Sequence, residues 1–312
     1  MLRGSYIRIF IAFVLFLAHN LSAQYFAKRD SWKKERKEFF VGAGAAGFLG
    51  DMGGNANIGI HYSYHDLQIP YTKSAWCAGF RYRLSRKWAS NTQFSFLQVQ
   101  GNDALSTNIF RQNRNLNFKS NIFELCEKIE FALSLDKHGN KYKIKKTMFR
   151  RFHSYQSYYY LTAGIGVFYY NPKELYGGNW YVIHDYSLEG QGLPGGPKQF
   201  KRVSVSIPFG IGAKYSIGRK ITIGIEYLFR KTFTDYIDGV STVYYSPDLL
   251  LKYKGPTAVA LADPNLGRIP GQTMPGQERG NPKDKDSYFT LEVKIGYVLN
   301  SKKRRRATKA KF

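Results

Sequence analysis

A few places in this sequence carry residue types that could do chemistry. His61-Tyr62-Ser63-Tyr64-His65 sets two imidazoles beside a hydroxyl, with Asp51 and Asp66 available to orient a base. A serine nucleophile needs that base within hydrogen-bond reach and a third group to hold it. The spacing follows no established signature, and an aromatic loop resting at an interface explains the same residues. His184-Asp185 is a sparser pair of the same kind. Gly42-Ala43-Gly44-Ala45-Ala46-Gly47 has the glycine spacing of a dinucleotide-binding turn. That chemistry needs a helix to follow and present its N-terminus to phosphate. Phe48-Leu49-Gly50-Asp51 and a Gly/Asn-rich stretch follow instead, so no cofactor is expected. Cys77 and Cys126 are too few for a disulfide framework and stand in no CxxC or Cys/His set, so no metal is expected. A single bridge and two buried thiols both fit them.

The elements that must position these residues alternate with period two, the spacing that puts successive side chains on opposite faces of a strand. Residues 203–215 are the clearest case. Val203, Val205, Ile207, Phe209, Ile211, Ala213 and Tyr215 share one face, and Ser204, Ser206, Pro208, Gly210, Gly212 and Lys214 the other. Residues 221–230 set Ile221, Ile223, Ile225, Tyr227 and Phe229 against Thr222, Gly224, Glu226, Leu228 and Arg230. The connection 216–219 is short, so the two form a hairpin. Residues 289–297, 39–46, 76–84, 123–133 and 159–169 repeat the pattern, and residues 88–100 repeat it more weakly. Strands of this length, with a greasy face and a small or polar one, suit a tilted membrane crossing. The predicted fold is all-β: an eight-stranded antiparallel transmembrane β-barrel, an up-and-down meander whose lumen is filled by side chains. The 24 Tyr and 23 Phe suit aromatic girdles at the two membrane interfaces. A soluble lipocalin-like barrel, its aromatic face turned inward around a ligand, is the competing fold.

Eight strands leave an interior that side chains can fill. Arg81, Arg83, Glu124, Lys128, Glu130, Lys214, Glu226, Arg230, Glu292 and Lys294 all fall on the predicted lumen face. Both signs are present, so they can neutralise one another in a plugged scaffold, which argues against a porin.

The chain divides into a signal peptide over 1–23, a basic periplasmic segment over 24–37, the barrel over 38–300 and a basic periplasmic tail over 301–312. Arg3 and Arg8, the apolar run Ile9 to Ala18, and Leu21-Ser22-Ala23 have the layout of a secretory signal. An even barrel that begins in the periplasm ends there, so both termini are expected on that side of the outer membrane. Long outer loops are expected over 51–72, 101–117, 171–202 and 238–286, and inner connections over 85–87, 136–156 and 216–219. The net charge of +25 is uneven. Lys137, Lys141, Lys143, Lys145, Lys146, Arg150 and Arg151 crowd one inner connection, and Lys302, Lys303, Arg304, Arg305, Arg306, Lys309 and Lys311 crowd the tail. A one-sided basic surface attracts acidic partners. In the periplasm these are an acidic protein face, peptidoglycan carboxylates or inner-leaflet lipid. Nucleic acid is not an expected partner of an exported barrel.

Several stretches resemble the PorG-like outer-membrane barrels of the type IX secretion system in Bacteroidetes. FVGAGAAGFLGDMGG, running from Phe40 into the first loop, is similar to that family's Gly-rich opening strand. ITIGIEYLFRKTFTDYIDGVSTVY, residues 221–244, is the distinctive part, with Arg230, Thr232, Thr234, Asp235, Tyr236, Asp238, Val240 and Ser241 in the family's pattern. Gly239 stands where many relatives carry a second acid. DSYFTLEVKIGYVL also fits the last strand. The resemblance implies a non-catalytic role: anchoring the periplasmic ring of the secretion machine, built from a lipoprotein and a partner protein, to the outer membrane and its lipid. A surface adhesin or passive barrel is the alternative, and a rim lipid-modifying enzyme the third.

Overall fold

A computed structural model describes residues 35–52, 71–133, 156–217 and 220–299. Strands dominate: β1 (Lys37–Leu49), β2 (Lys73–Arg83), β3 (Trp88–Asn102), β4 (Asn117–Ala132), β5 (Gln156–Tyr176), β6 (Asn179–Val182), β7 (Val203–Ile217), β8 (Ile221–Thr232) and β9 (Ser287–Leu299). Each pairs antiparallel with its sequence neighbour, except that β5 pairs both with β7 and with the short β6. β1 then pairs with β9 along its whole length, from Lys37 opposite Leu299 to Leu49 opposite Ser287. That pairing closes eight strands into a barrel and leaves no open edge.

The alternation decides which side faces in. Val41 is 61% exposed, Ile165 66%, Ile211 57% and Val293 53%, while Glu124, Lys128, Glu130 and Arg230 are completely buried. A water-soluble protein rarely exposes a contiguous apolar surface of this extent. A closed barrel with a greasy outside and charged inside is instead the form of a membrane-crossing barrel. Among the described residues no helix is long and apolar enough to cross a membrane. The lipocalin-like alternative fails because the aromatic face looks outward.

The long connections after β3, β5 and β8 lie at one end of the barrel. At the other end the turn between β2 and β3 is tight: the Ser85 side-chain oxygen accepts from the backbone of Lys87 and Trp88. The segment expected as a loop over 171–202 is partly strand. β5 continues to Tyr176 and folds back on β6, with Lys173 opposite Val182. Alternation weakens there because this extension stands beyond the greasy band and need not present an apolar outer face. Short helices fill the rest: α1 (Ile109–Arg114), α2 (Ile183–Tyr186), α3 (Pro247–Lys254) and α4 (Pro256–Ala262).

Candidate functional site

The site is the barrel interior and the cap above it. At the turn end, Glu38 accepts from Lys214 at 2.7 Å and Thr222 at 2.5 Å, and pairs with Arg81 at 3.0 Å. Arg81 also donates through Nε to Glu130 at 2.9 Å. Its other face lies over Phe40 and Tyr160, a cation–π arrangement. One layer further in, the ammonium groups of Lys128 and Lys294 both donate to Glu226 Oε1, at 2.7 and 2.6 Å, and to Gln93 Oε1, at 2.7 and 2.8 Å. Tyr160 donates to the second Glu226 oxygen at 2.7 Å, and Glu292 stands 3.2 Å from Lys294. Nearest the loops, Arg230 donates to Glu124 at 2.6 Å, and Ser206 and Tyr288 donate to the other Glu124 oxygen. Arg83 lies over the Tyr158 ring at the turn-end opening.

Charges removed from water persist only when paired and hydrogen-bonded, and here acids and bases alternate through the stack. Glycine makes the room. A Cβ on Gly212 would stand 2.2 Å from the Tyr160 ring, and one on Gly296 would stand 2.4 Å from Glu38. The cavity bounded by Glu38, Arg81, Tyr160, Lys214 and Lys294 measures about 10 Å³, the space of a single water. The arrangement fills the barrel interior with paired side chains.

Above the charges the polarity inverts. Ala46, Phe48, Leu97, Val99, Phe118, Ile122, Phe168, Tyr170 and Tyr288 point inward and form an apolar layer with Ile237 and Val240 from the chain after β8. A second apolar cluster, Ile183, Leu188, Leu250, Ala258, Leu261 and Ala262, joins α2, α3 and α4. Two arginines tie the cap down. Arg114 grips Asp103 with two nitrogens, at 2.7 and 3.1 Å, and donates to the carbonyls of Asp51 and Arg279. Arg279 donates to Glu189, whose carboxylate also accepts from the backbone of Ser241 and Thr242.

The family-like residues form the joint between barrel and cap. Thr232 donates to the Asp286 carbonyl at 2.7 Å. Thr234 meets the Tyr170 hydroxyl at 2.9 Å. Tyr236 stacks on Phe200, centroids 4.6 Å apart and nearly parallel. Asp238 accepts from the Val240 backbone, and Asp286 from that of Ile237. Gly239 has φ +81 and packs on Ile183, so a side chain would be strained there. Burial pushes Asp51 up to about 6 and Asp235 up to about 7, with neighbouring carboxylates adding to the rise at Asp235. Burial and charges from this same group raise Asp238 and Asp286 well above the ordinary carboxylate range.

One lumen acid stands outside the sequence-derived set. Glu38 shares the parity of Phe40 and Gly42 and is buried, so the alternation carried the signal. Cys77 and Cys126 are free and buried, which decides against the bridge. His184 lies edge-on to Phe200 and 3.3 Å from Asp185, in the α2 turn of the cap. Residues 1–34, which include the signal segment and most of the basic N-terminal one, lie outside the described residues. So do His61, Ser63 and His65, the basic run Lys141, Lys143, Lys145, Lys146, Arg150 and Arg151, and the tail Lys302, Lys303, Arg304, Arg305 and Arg306. No cluster of acids, histidines or cysteines suited to a metal occurs among the described residues.

Residues 24–246 match the family described as Domain of unknown function (DUF6089). No curated protein matches the sequence. Among solved structures, the chain is similar to Neisserial surface protein A, with 6% identity over 84% of this chain and 96% of that one at a TM-score of 0.35. It is similar to the outer membrane protein OprG from Pseudomonas aeruginosa, with 9% identity over 86% and 98% at 0.33. It is also similar to Ail, the attachment invasion locus protein of Yersinia pestis, crystallised with the heparin analogue sucrose octasulfate, with 10% identity over 85% and 99% at 0.32. These likenesses are remote, and the barrel assignment rests on the strand pairing itself.

Proposed function

The chain belongs to the DUF6089 family, and we propose that it is a non-catalytic outer-membrane barrel that anchors the periplasmic ring of a type IX secretion machine. The observation that carries a scaffold reading is the filled lumen: acids and bases from all around the barrel neutralise one another across it. A barrel that conducts nothing acts through its surfaces. The ring assignment draws on the PorG-like pattern at Arg230, Thr232, Thr234, Asp235, Tyr236 and Asp238. It draws also on the basic residues of 141–151 and 302–306, which a periplasmic turn end would present to acidic ring subunits.

Deleting residues 301–312 and neutralising Lys141, Lys143, Lys145 and Lys146 tests it. Ring proteins should co-purify less well from solubilised outer membrane, with the barrel itself intact. Unchanged co-purification would remove the anchoring role. Replacing Ser63 and His65 by Ala should leave the lipid A profile unaltered; an altered profile would restore the rim-enzyme reading.

The ordered cap favours a second reading, a surface adhesin. It holds Ile109, Phe110, Leu251 and Met274 outward at exposures of 51–66%, on loops pinned by Arg114 and Arg279. Loss of cell-surface attachment on shaving the cap, with secretion intact, would select that reading.

A further inference from the structure

Glu127 breaks the rule of the barrel wall. It lies on β4 with outward parity and is exposed. No other acid occupies the outward face of the eight barrel strands among the described residues. Its depth follows from its neighbours. Phe123 lies four positions toward the loops and joins an outward aromatic row with Phe96 and Tyr169, at 4.9 and 6.5 Å. Phe131 lies four positions the other way and meets Trp88 at 4.8 Å. Four strand residues span about 13 Å, or roughly 9 Å of depth at a tilt near 45°. Glu127 therefore sits midway between the two aromatic rows, at the level of hydrocarbon tails that lipid head groups do not reach.

β3 supports this carboxylate. Ser90 donates to Oε1 and Thr92 to Oε2, both at 2.5 Å and both from the same outward face. Each carboxylate oxygen thus has one hydroxyl within hydrogen-bond distance on the neighbouring strand. Two neutral donors do not offset the charge a carboxylate would carry in lipid unless a cation also completes it, and such residues mark contacts made inside the membrane. The barrel supplies no such cation. Its outward lysines, Lys119, Lys173 and Lys231, stand at the loop end and Lys37 at the other end. Between the aromatic rows no outward cation occurs among the described residues, so the described wall of a second copy brings no complement.

We propose that Glu127, with Ser90 and Thr92, is an intramembrane docking site for a membrane-spanning segment of another protein that presents a basic side chain near mid-bilayer. The proposal stands on the lipid-facing wall and is independent of the ring-anchoring role.

The test uses the full mature chain in phosphatidylcholine liposomes. The probe is a synthetic Leu/Ala transmembrane helix of about 23 residues, with either Lys or Leu at its centre. Energy transfer between labelled barrel and labelled helix reads association. The Lys helix should associate about threefold to tenfold more tightly than the Leu helix, and Glu127→Gln should abolish that preference. Equal association of the two helices with the unsubstituted barrel would overturn the proposal, and this comparison does not depend on any variant folding. A preference that survives in Glu127→Gln would overturn it too, as would Glu127-dependent association of barrels with one another in place of the helix. Failure of the barrel to enter the liposomes would overturn the lipid-facing wall along with it, whereas loss of ring co-purification would touch only the anchoring role.

Discussion

Single residues in the lumen matter because the buried acids and bases are held against partners of opposite sign in a space that admits little water. Glu226 takes both Lys128 and Lys294 on one oxygen. Glu226→Ala leaves two buried ammonium groups sharing Gln93, and removing one partner of such a group costs about 3–5 kcal/mol. Urea unfolding followed by heat-modifiable gel mobility should show a loss of that size; a loss below about 1 kcal/mol would place these charges in contact with water. The cap aspartates give a pH dependence of definite sign. Their folded values lie above the ordinary unfolded one near 3.9, at about 6 for Asp51 and about 7 for Asp235. Their contribution is thus fully present below about pH 4 and is lost as pH rises through 6 and 7. Protease cleavage of the cap should increase from pH 5 to pH 8, and Asp235→Asn should flatten that rise. A cap that loosens on acidification would contradict the burial of these groups.

At the scale of elements, the strands were legible because a lipid-facing wall forces strict period two, and Val203–Ile217 states it almost without exception. The face taken by each lumen charge follows from the same parity. Which acid meets which base does not, because partners such as Lys128 and Glu226 lie on strands that are not neighbours and meet only across the closed cylinder. The apolar layer at the loop end was hidden for a related reason. Leu97, Val99 and Ile122 turn inward where the strands leave the membrane, so the greasy parity flips within one strand. The cap helices are too short for a helical period to show. Glu127 was invisible as a site because one acid on a greasy face reads as noise until its register with Ser90 and Thr92 is known. The joint after β8 can be tested as an element. Tyr236→Ala removes the stack on Phe200, whose geometric share is about 0.5–1.5 kcal/mol beyond lost burial. Cap proteolysis should quicken several-fold while the barrel keeps its heat-modifiable mobility. Loss of barrel mobility as well would mean that cap and barrel fold as one unit.

The whole molecule is a closed wall with its polarity turned inside out and a folded cap at one mouth. Such a plug should not conduct. In planar bilayers the purified chain should give no stable channel steps, and steady conductance of ions would open the lumen that the Glu38, Glu226 and Glu124 layers fill. The claim beneath both the scaffold and the docking site is that alternate residues face lipid. Its direct measurement is nitroxide scanning in liposomes, on a chain with Cys77 and Cys126 replaced by Ala. Labels at Ile207, Phe209, Ile223 and Val293 should be reached by membrane-dissolved oxygen and shielded from a water-soluble nickel chelate, while labels at Ser206 and Thr222 should be poorly reached by both. Equal oxygen access at Ile207 and Ser206, or free access of the nickel chelate to Phe209 and Val293, would contradict the lipid-facing barrel.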